Sequence, residues 1–287
     1  MKKISLVALF AALVMSVNAT DIWTGSKHVS WSDGGVQIAA TQFATAQPGN
    51  LLKVHFTGAS DGIEFKVMNQ FFDHLAGSRE AAWISGDGAF EQFLTPTAVD
   101  SLKAYGLEII GANFTCTQVE LLESKTLKDG FTVWTGFFWV DDEGGWKTLE
   151  LYWNGFAGVD WDKATALRIY TEAKGTDYII NVKENWEEGG QIAGQDEMTD
   201  GEGYKELALT EELRTRLANA NHWMIQFSHK ELDKFNVTDV VLVGNFEDQA
   251  IDNTQLQQIK SLKLIENGQL VIIKNGIKYN ALGAEIK

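Results

Sequence analysis

The chain has 287 residues, with 39 acidic against 24 basic side chains and a formal charge of −15, and 45% of it is hydrophobic, including ten Trp and sixteen Phe. So negative a chain is a poor partner for nucleic acid or anionic lipid, while cationic or neutral ligands remain compatible with it. One cysteine, Cys116, excludes an internal disulfide framework.

Lys2 and Lys3 lead into an apolar run over residues 4–15, and Val17-Asn18-Ala19 has the small-residue pattern of a signal-peptidase site. Residues 1–19 therefore read as a signal peptide that is removed on export. The run is too short for a membrane span, and a buried N-terminal helix is the alternative. No comparably apolar stretch follows, so the expectation is a protein without a transmembrane segment, secreted or on the outer cell surface.

The rest of the chain states one pattern twice. Ile22-Trp23-Thr24-Gly25 returns as Val133-Trp134-Thr135-Gly136, Leu94-Thr95 with Leu102 returns as Leu209-Thr210 with Leu217, and Phe114-Thr115-Cys116-Thr117-Gln118-Val119-Glu120-Leu121 returns as Phe235-Asn236-Val237-Thr238-Asp239-Val240-Val241-Leu242. A period of roughly 110 residues is too long for a solenoid, so each copy should own a core. The expected domains are residues 20–124 and 125–246, with 247–287 as linker and tail.

Within each copy the elements are mostly strands, at 51–57, 63–68 and 107–110 in the first and 167–171, 178–182 and 223–227 in the second. Cys116 lies in an alternating strand, where it acts as a small buried hydrophobe. A helix over 98–105 is opened by Thr95 and Pro96, and another over 213–218 by Thr210 with Glu211 and Glu212, since hydroxyls, proline and carboxylates suit helix N-termini. The fold class expected is all-β: two tandem jelly-roll β-sandwich domains, each with one short helix, plus a C-terminal β-hairpin tail.

The W-x-G near the start of each copy, the strand ending in a polar and aromatic step, the helix opened by L-T and the closing F-T-x-T-x-V-x-L strand together resemble the jelly-roll domains of polysaccharide-utilisation proteins of the Bacteroidetes. These domains are similar to galactose-binding-like carbohydrate-binding modules, which are sandwiches that hold sugars without cleaving them. The resemblance covers about 21–122 and 132–243, and it speaks to fold more than to ligand. The tail, from Asn267 through Asn275-Gly276 to Gly283, reads as a strand, a tight turn and a second strand. It is similar to the C-terminal segments of proteins exported by the type IX secretion system of that phylum, which implies the secretion machinery as a partner and residues 248–258 as a linker. The alternative is that the hairpin completes the second sandwich.

Catalytic motifs are absent: there is no G-x-S-x-G, H-E-x-x-H, P-loop or Rossmann fingerprint, and the five histidines show no ligand spacing. Glu187-Glu188, Asp141-Asp142-Glu143 or Asp160 with Asp162 would be the carboxylate pairs of a glycosidase. Asp196, Asp200 and Glu202 lie among glycines in a stretch with the oxygen ligands that a structural calcium ion would take, although EF-hand spacing is missing. No cofactor is required.

Binding falls to aromatics. Phe71 and Trp186 follow Val67 and Val182 at equal spacing, just past a strand and beside Asn69 and Asn185. A flat ring next to an amide suits a sugar, whose C–H face packs on the ring while its hydroxyls take hydrogen bonds. Trp31, His74 and Trp83 in the first copy, and Trp139 and Trp146 in the second, are the further candidates. Trp153 would be buried if strand alternation continued from Leu149 and Leu151. The expected function is non-catalytic capture of extracellular polysaccharide; the alternatives are a structural or adhesive surface protein that binds proteins, or a glycoside-active enzyme.

Overall fold

Alternating apolar residues impose two-faced strands, and the protein buries the apolar faces in two separate cores. The computed structural model describes residues 19–78, 82–122, 125–140, 145–173, 178–229 and 234–246, with the backbone of four further strands between 262 and 286. The leader over 1–18, Asp141-Asp142-Glu143, the linker over 248–258 and the Asn275-Gly276 turn lie outside the described residues.

The first core is built from β1 (Thr20–Val29), β2 (Val36–Ile38), β3 (Leu51–Met68), β4 (Ala82–Phe93), helix α1 (Pro96–Tyr105), β5 (Leu107–Gly111) and β6 (Phe114–Leu122). All pairings are antiparallel, in the order β1-β6-β3-β5-β2, with β4 along β3. The segments expected at 51–57 and 63–68 are one strand. Its first part pairs with β6 and its last part with β5. Between them the β3–β4 ladder shifts register on either side of Ala59. Gly58 and Gly62 take the positive φ values the bend needs, 69° and 64°. Their amides are held by Asp87 Oδ1 and Ser85 Oγ, each at 2.8 Å. The bend folds the strand over itself: the rings of Phe56 and Phe65 are 6.2 Å apart, whereas nine residues of straight strand would span about 30 Å. Phe65 and Phe114 meet at 5.4 Å in the core that results.

The second core lies between two sheets. Its elements are β7 (Phe131–Val140), β8 (Lys147–Tyr152), β9 (Ala164–Thr171), β10 (Tyr178–Lys183), β11 (Gln191–Ala193), β12 (Met198–Gly201), β13 (Tyr204–Ala208), α2 (Glu211–Asn219), β14 (His222–His229) and β15 (Phe235–Gly244). The sheets run β11-β10-β14-β8 and β12-β13-β9-β15-β7. Fully buried Trp223 stacks on Phe156 at 4.3 Å and donates its indole N–H to the Leu217 carbonyl at 3.0 Å, so the end of α2 is tied to the core.

The repeated motifs have local causes. In each W-x-G the indole lies along the strand over the glycine two residues on, where a Cβ would come within 2.8 Å of the ring, at Gly25 and at Gly136. Thr95 and Thr210 cap their helices by accepting the amide N–H of Ala98 and Leu213, both at 3.2 Å. Cys116 is buried, and burial pushes its thiol up to about 12.

Lys125, at the junction of the two halves, contacts both: its backbone N–H donates to the Gly49 carbonyl at 3.4 Å, and its ammonium donates to Asp239 Oδ1 at 2.9 Å and to the Thr238 carbonyl at 3.2 Å. Thr135 donates to the same Asp239 oxygen at 2.7 Å. Phe93 of β4 meets Phe137 of β7 edge-on at 5.6 Å, and the Asn154 amide donates to the His74 carbonyl.

The tail forms β16 (Leu262–Glu266), β17 (Gln269–Lys274), β18 (Ile277–Asn280) and β19 (Glu285–Ile286), an antiparallel sheet in chain order. The expected hairpin is its central pair. Among the described residues these strands pair only with one another, so the hairpin adds no strand to either sheet of the second half. No helix among the described residues is long and apolar enough to cross a membrane.

Candidate functional site

Phe71 stands on the loop that leaves β3. Asn69 shapes this loop: its Oδ1 accepts the amide N–H of Phe71 at 2.8 Å and of Asp73 at 3.0 Å, and its Nδ2 donates to Asp73 Oδ2 and Ser101 Oγ. Phe72 adopts φ 64°, an uncommon backbone for a bulky residue, which turns two consecutive rings outward. Phe71 is 70% exposed and packs edge-on against exposed Tyr105, the last residue of α1, at 5.0 Å.

The loop after β10 is built alike. Asn185 Oδ1 accepts the amide N–H of Glu187 at 2.9 Å, again two residues on. Trp186 is 59% exposed, with the Lys183 ammonium 5.8 Å from its ring. Helix α2 backs this loop as α1 backs the other, through Arg216, which donates to Glu184 Oε1 at 2.7 Å and to the Gly189 carbonyl at 3.4 Å. Each half thus carries an exposed ring on an asparagine-stabilised loop braced by its helix. The first ring has an aromatic neighbour, and the second has a cation beside it and the exposed carboxylates of Glu187 and Glu188 after it.

Several expected site residues have other work. Asn69 is 4% exposed and hydrogen-bonded through both ends of its amide, so it builds the loop and has nothing left for a ligand. The carbonyl end of the Asn185 amide is likewise occupied by the loop. His74 belongs to the contact between the halves, where its ring stacks with Tyr152 at 6.4 Å and Tyr152 with His222 at 5.8 Å. Trp31, Trp83, Trp139 and Trp146 are exposed but sit on separate elements: the turn after β1, the β4 position opposite Glu64, the β7 position opposite Asn236, and the residue before β8. Among the described residues no ring contact joins any of them to Phe71 or Trp186. Trp153 is exposed because β8 ends at Tyr152 and the chain turns there.

The acidic residues of this stretch are spread over three elements. Asp196 lies in a short 3-10 turn, Asp200 in β12 and Glu202 in the two-residue connection to β13, which pairs Gly201 with Tyr204. Asp200 is taken by Lys205 at 2.5 Å. No cluster of three or more potential metal ligands occurs among the described residues.

Two concave regions flank the Phe93–Phe137 contact. One, of about 500 Å³, lies between β3–β4 and β7; the other, of about 440 Å³, lies over Lys125, Tyr170 and Asp239. Neither is lined by Glu187, Glu188, Asp160 or Asp162. Asp160 faces Lys163 at 3.5 Å. Sequence reasoning passed over Tyr105, hidden as a helix-terminal residue, and Phe137, whose outward position could have been read from its alternation with buried Trp134 and Phe138.

No family model and no curated protein matches the chain. Among solved structures, it is similar to SGBP-B of the Bacteroides ovatus mixed-linkage glucan utilization locus, solved in complex with a mixed-linkage heptasaccharide. The identity is 18% and the TM-score 0.33, over 36% of this chain and 28% of that one, so the match spans little more than a quarter of its counterpart. A Parabacteroides distasonis protein described as secreted is similar at 7% identity and a TM-score of 0.21, over 78% of this chain and 86% of that one.

Proposed function

We propose that this protein is an exported, non-catalytic glycan-binding protein that holds polysaccharide on exposed rings at the Phe71 and Trp186 loops of two jelly-roll sandwiches. The observation that carries the reading is the recurrence of one device: after equivalent strands, each half presents an exposed ring on a loop fixed by an asparagine and braced by its helix. A rigid ring offers a sugar its apolar face at little entropic cost. Two weak sites on one chain favour a polymer, because the second contact is made at high effective concentration. The leader and the tail sheet supply export to the cell surface or beyond, with the tail engaging the secretion machinery. Deleting 262–287 should leave both sandwiches folded and the protein retained in the cell envelope; normal export of the truncated chain would end that part of the reading.

The direct test is a glycan array on the mature protein, followed by affinity electrophoresis in the polysaccharides it selects. Phe71→Ala and Trp186→Ala should each weaken binding by about 1–3 kcal/mol with melting nearly unchanged. Retardation that survives both substitutions together would reject the site.

A further inference from the structure

We infer that the first loop site reads the shape of its glycan: Phe71 and Tyr105 form a fixed right-angled pair of rings that selects chains whose successive sugars turn sharply, as in helical glucans, over flat ribbons. This rests on the proposed function for the ligand class and adds Tyr105 as a specificity-determining residue. Phe71 and Tyr105 are 70% and 46% exposed, and their ring planes stand at 89° with centroids 5.0 Å apart. A sugar packs by laying the C–H face of its ring flat on an aromatic face. Two perpendicular rings cannot both lie flat against a ribbon, whose sugar faces share one plane. A chain that contacts both must turn between them.

The angle is built into the fold. Asn69 ties the loop to α1, its Nδ2 donating to Ser101 Oγ at 3.3 Å, and Gln70 ties it to β2, its Nε2 donating to the Ile38 carbonyl at 3.1 Å. The same carbonyl lies against the end of the helix. Gly106, directly after Tyr105, closes α1 with its N–H on the Leu102 carbonyl at 2.9 Å, and a Cβ there would collide with the Ile38 oxygen. Its φ of 74° is one that glycine adopts freely. Both rings are thus set by anchors on neighbouring elements, so little conformational entropy is lost in bringing them together on binding. The next residue, Phe72, keeps its ring 60% exposed on a backbone of φ 64°, a costly conformation that persists where the surrounding structure enforces it, as at binding sites. Among the described residues no second ring packs on Trp186, whose neighbour is the Lys183 ammonium. The shape preference is therefore a property of the first site.

The test is calorimetric titration of the full mature chain carrying Trp186→Ala, which leaves only the first loop site. The probes are pentasaccharides of two shapes: maltopentaose and laminaripentaose, which turn, and cellopentaose and mannopentaose, which are ribbons. At least one turning chain should bind about tenfold more tightly than either ribbon. Adding Tyr105→Ala, or Tyr105→Leu, which keeps apolar bulk without a flat ring, should weaken the turning chain about fivefold to tenfold and abolish the preference. Tyr105→Phe, which keeps the ring, should retain it. Melting curves verify that each variant is folded. The inference is overturned if neither turning chain binds, if a ribbon binds as tightly, or if either folded ring-removing variant keeps the preference. A preference lost equally in Tyr105→Phe would place it on the hydroxyl and overturn the ring-angle account. Polysaccharide retardation that is lost in Phe71→Ala/Trp186→Ala while the pentasaccharides show no shape preference would defeat this inference alone. Retardation that survives that double variant would defeat the proposed loop function, and this inference with it.

Discussion

The two halves reach similar sandwiches by different routes. In the first, one 18-residue strand, β3, bends at Gly58 and Gly62 and serves both layers; in the second, the same path is cut into β9 and β10. The helices differ too. Helix α1 buries Ala98, Val99 and Leu102 and has a fully buried cap, whereas α2 buries only Leu217 and is held by Arg214 to the Ala164 and Leu209 carbonyls and by Arg216 to Glu184. What the halves share is the inward face of the strands and the position of the helix-braced loop. Chain continuity and surface polarity are therefore free to vary while that loop stays in place.

Substitutions of descending effect sharpen this comparison. Trp223→Ala removes the ring stacked on Phe156 and should cost the second half about 3–5 kcal/mol. If the halves fold independently, calorimetry should then show one early transition and one unchanged. A single shifted transition would mean that they unfold as one unit. Asp239→Ala leaves Lys125 and Thr135 without their shared acceptor at a position 1% exposed, and should cost about 3 kcal/mol and loosen the contact between halves. Proteolysis near Lys125 should rise with it, and unchanged cleavage would show that the pair does not hold the halves together.

Smaller effects follow from the helices and from one buried acid. Thr95→Ala should cost about 2 kcal/mol and Thr210→Ala about 0.5 kcal/mol, because the first cap is buried and the second exposed to competing water; equal losses in urea melts would remove the distinction. Glu108 is buried on β5, and burial raises its pKa above the ordinary carboxylate value of 4.5, against a lowering hydrogen bond from Gln37. Its protonated form therefore favours the fold, and the stability it contributes is lost as pH rises through the raised pKa. Glu108→Gln should raise stability at neutral pH by less than about 1 kcal/mol and leave it nearly unchanged in mild acid. A gain of equal size at both pH values would contradict an electrostatic cause.

Much of this fold was legible because its determinants are local. The helices begin where threonine can cap them, and Phe114 and Phe235 are core residues on alternating strands, as their repetition implied. The continuity of β3 was hidden because Gly58 to Gly62 has the composition of a loop. Only partners across the ladder, Asp87 and Ser85, let it continue as a bent strand. At the candidate site the equal spacing of Phe71 and Trp186 was visible, but the role of Asn69 was not. An amide beside a ring looks available in sequence, while the backbone N–H groups it must satisfy appear only once the loop is folded. The flanking strands β16 and β19 were missed because they gain their pairing from the central hairpin.

The account stands most directly on the number of loop sites. Calorimetric titration with an oligosaccharide cut from the selected polysaccharide should give two sites on the mature protein, one on Phe71→Ala, one on Trp186→Ala and none on the double variant. A stoichiometry that stays the same in all four proteins would contradict it.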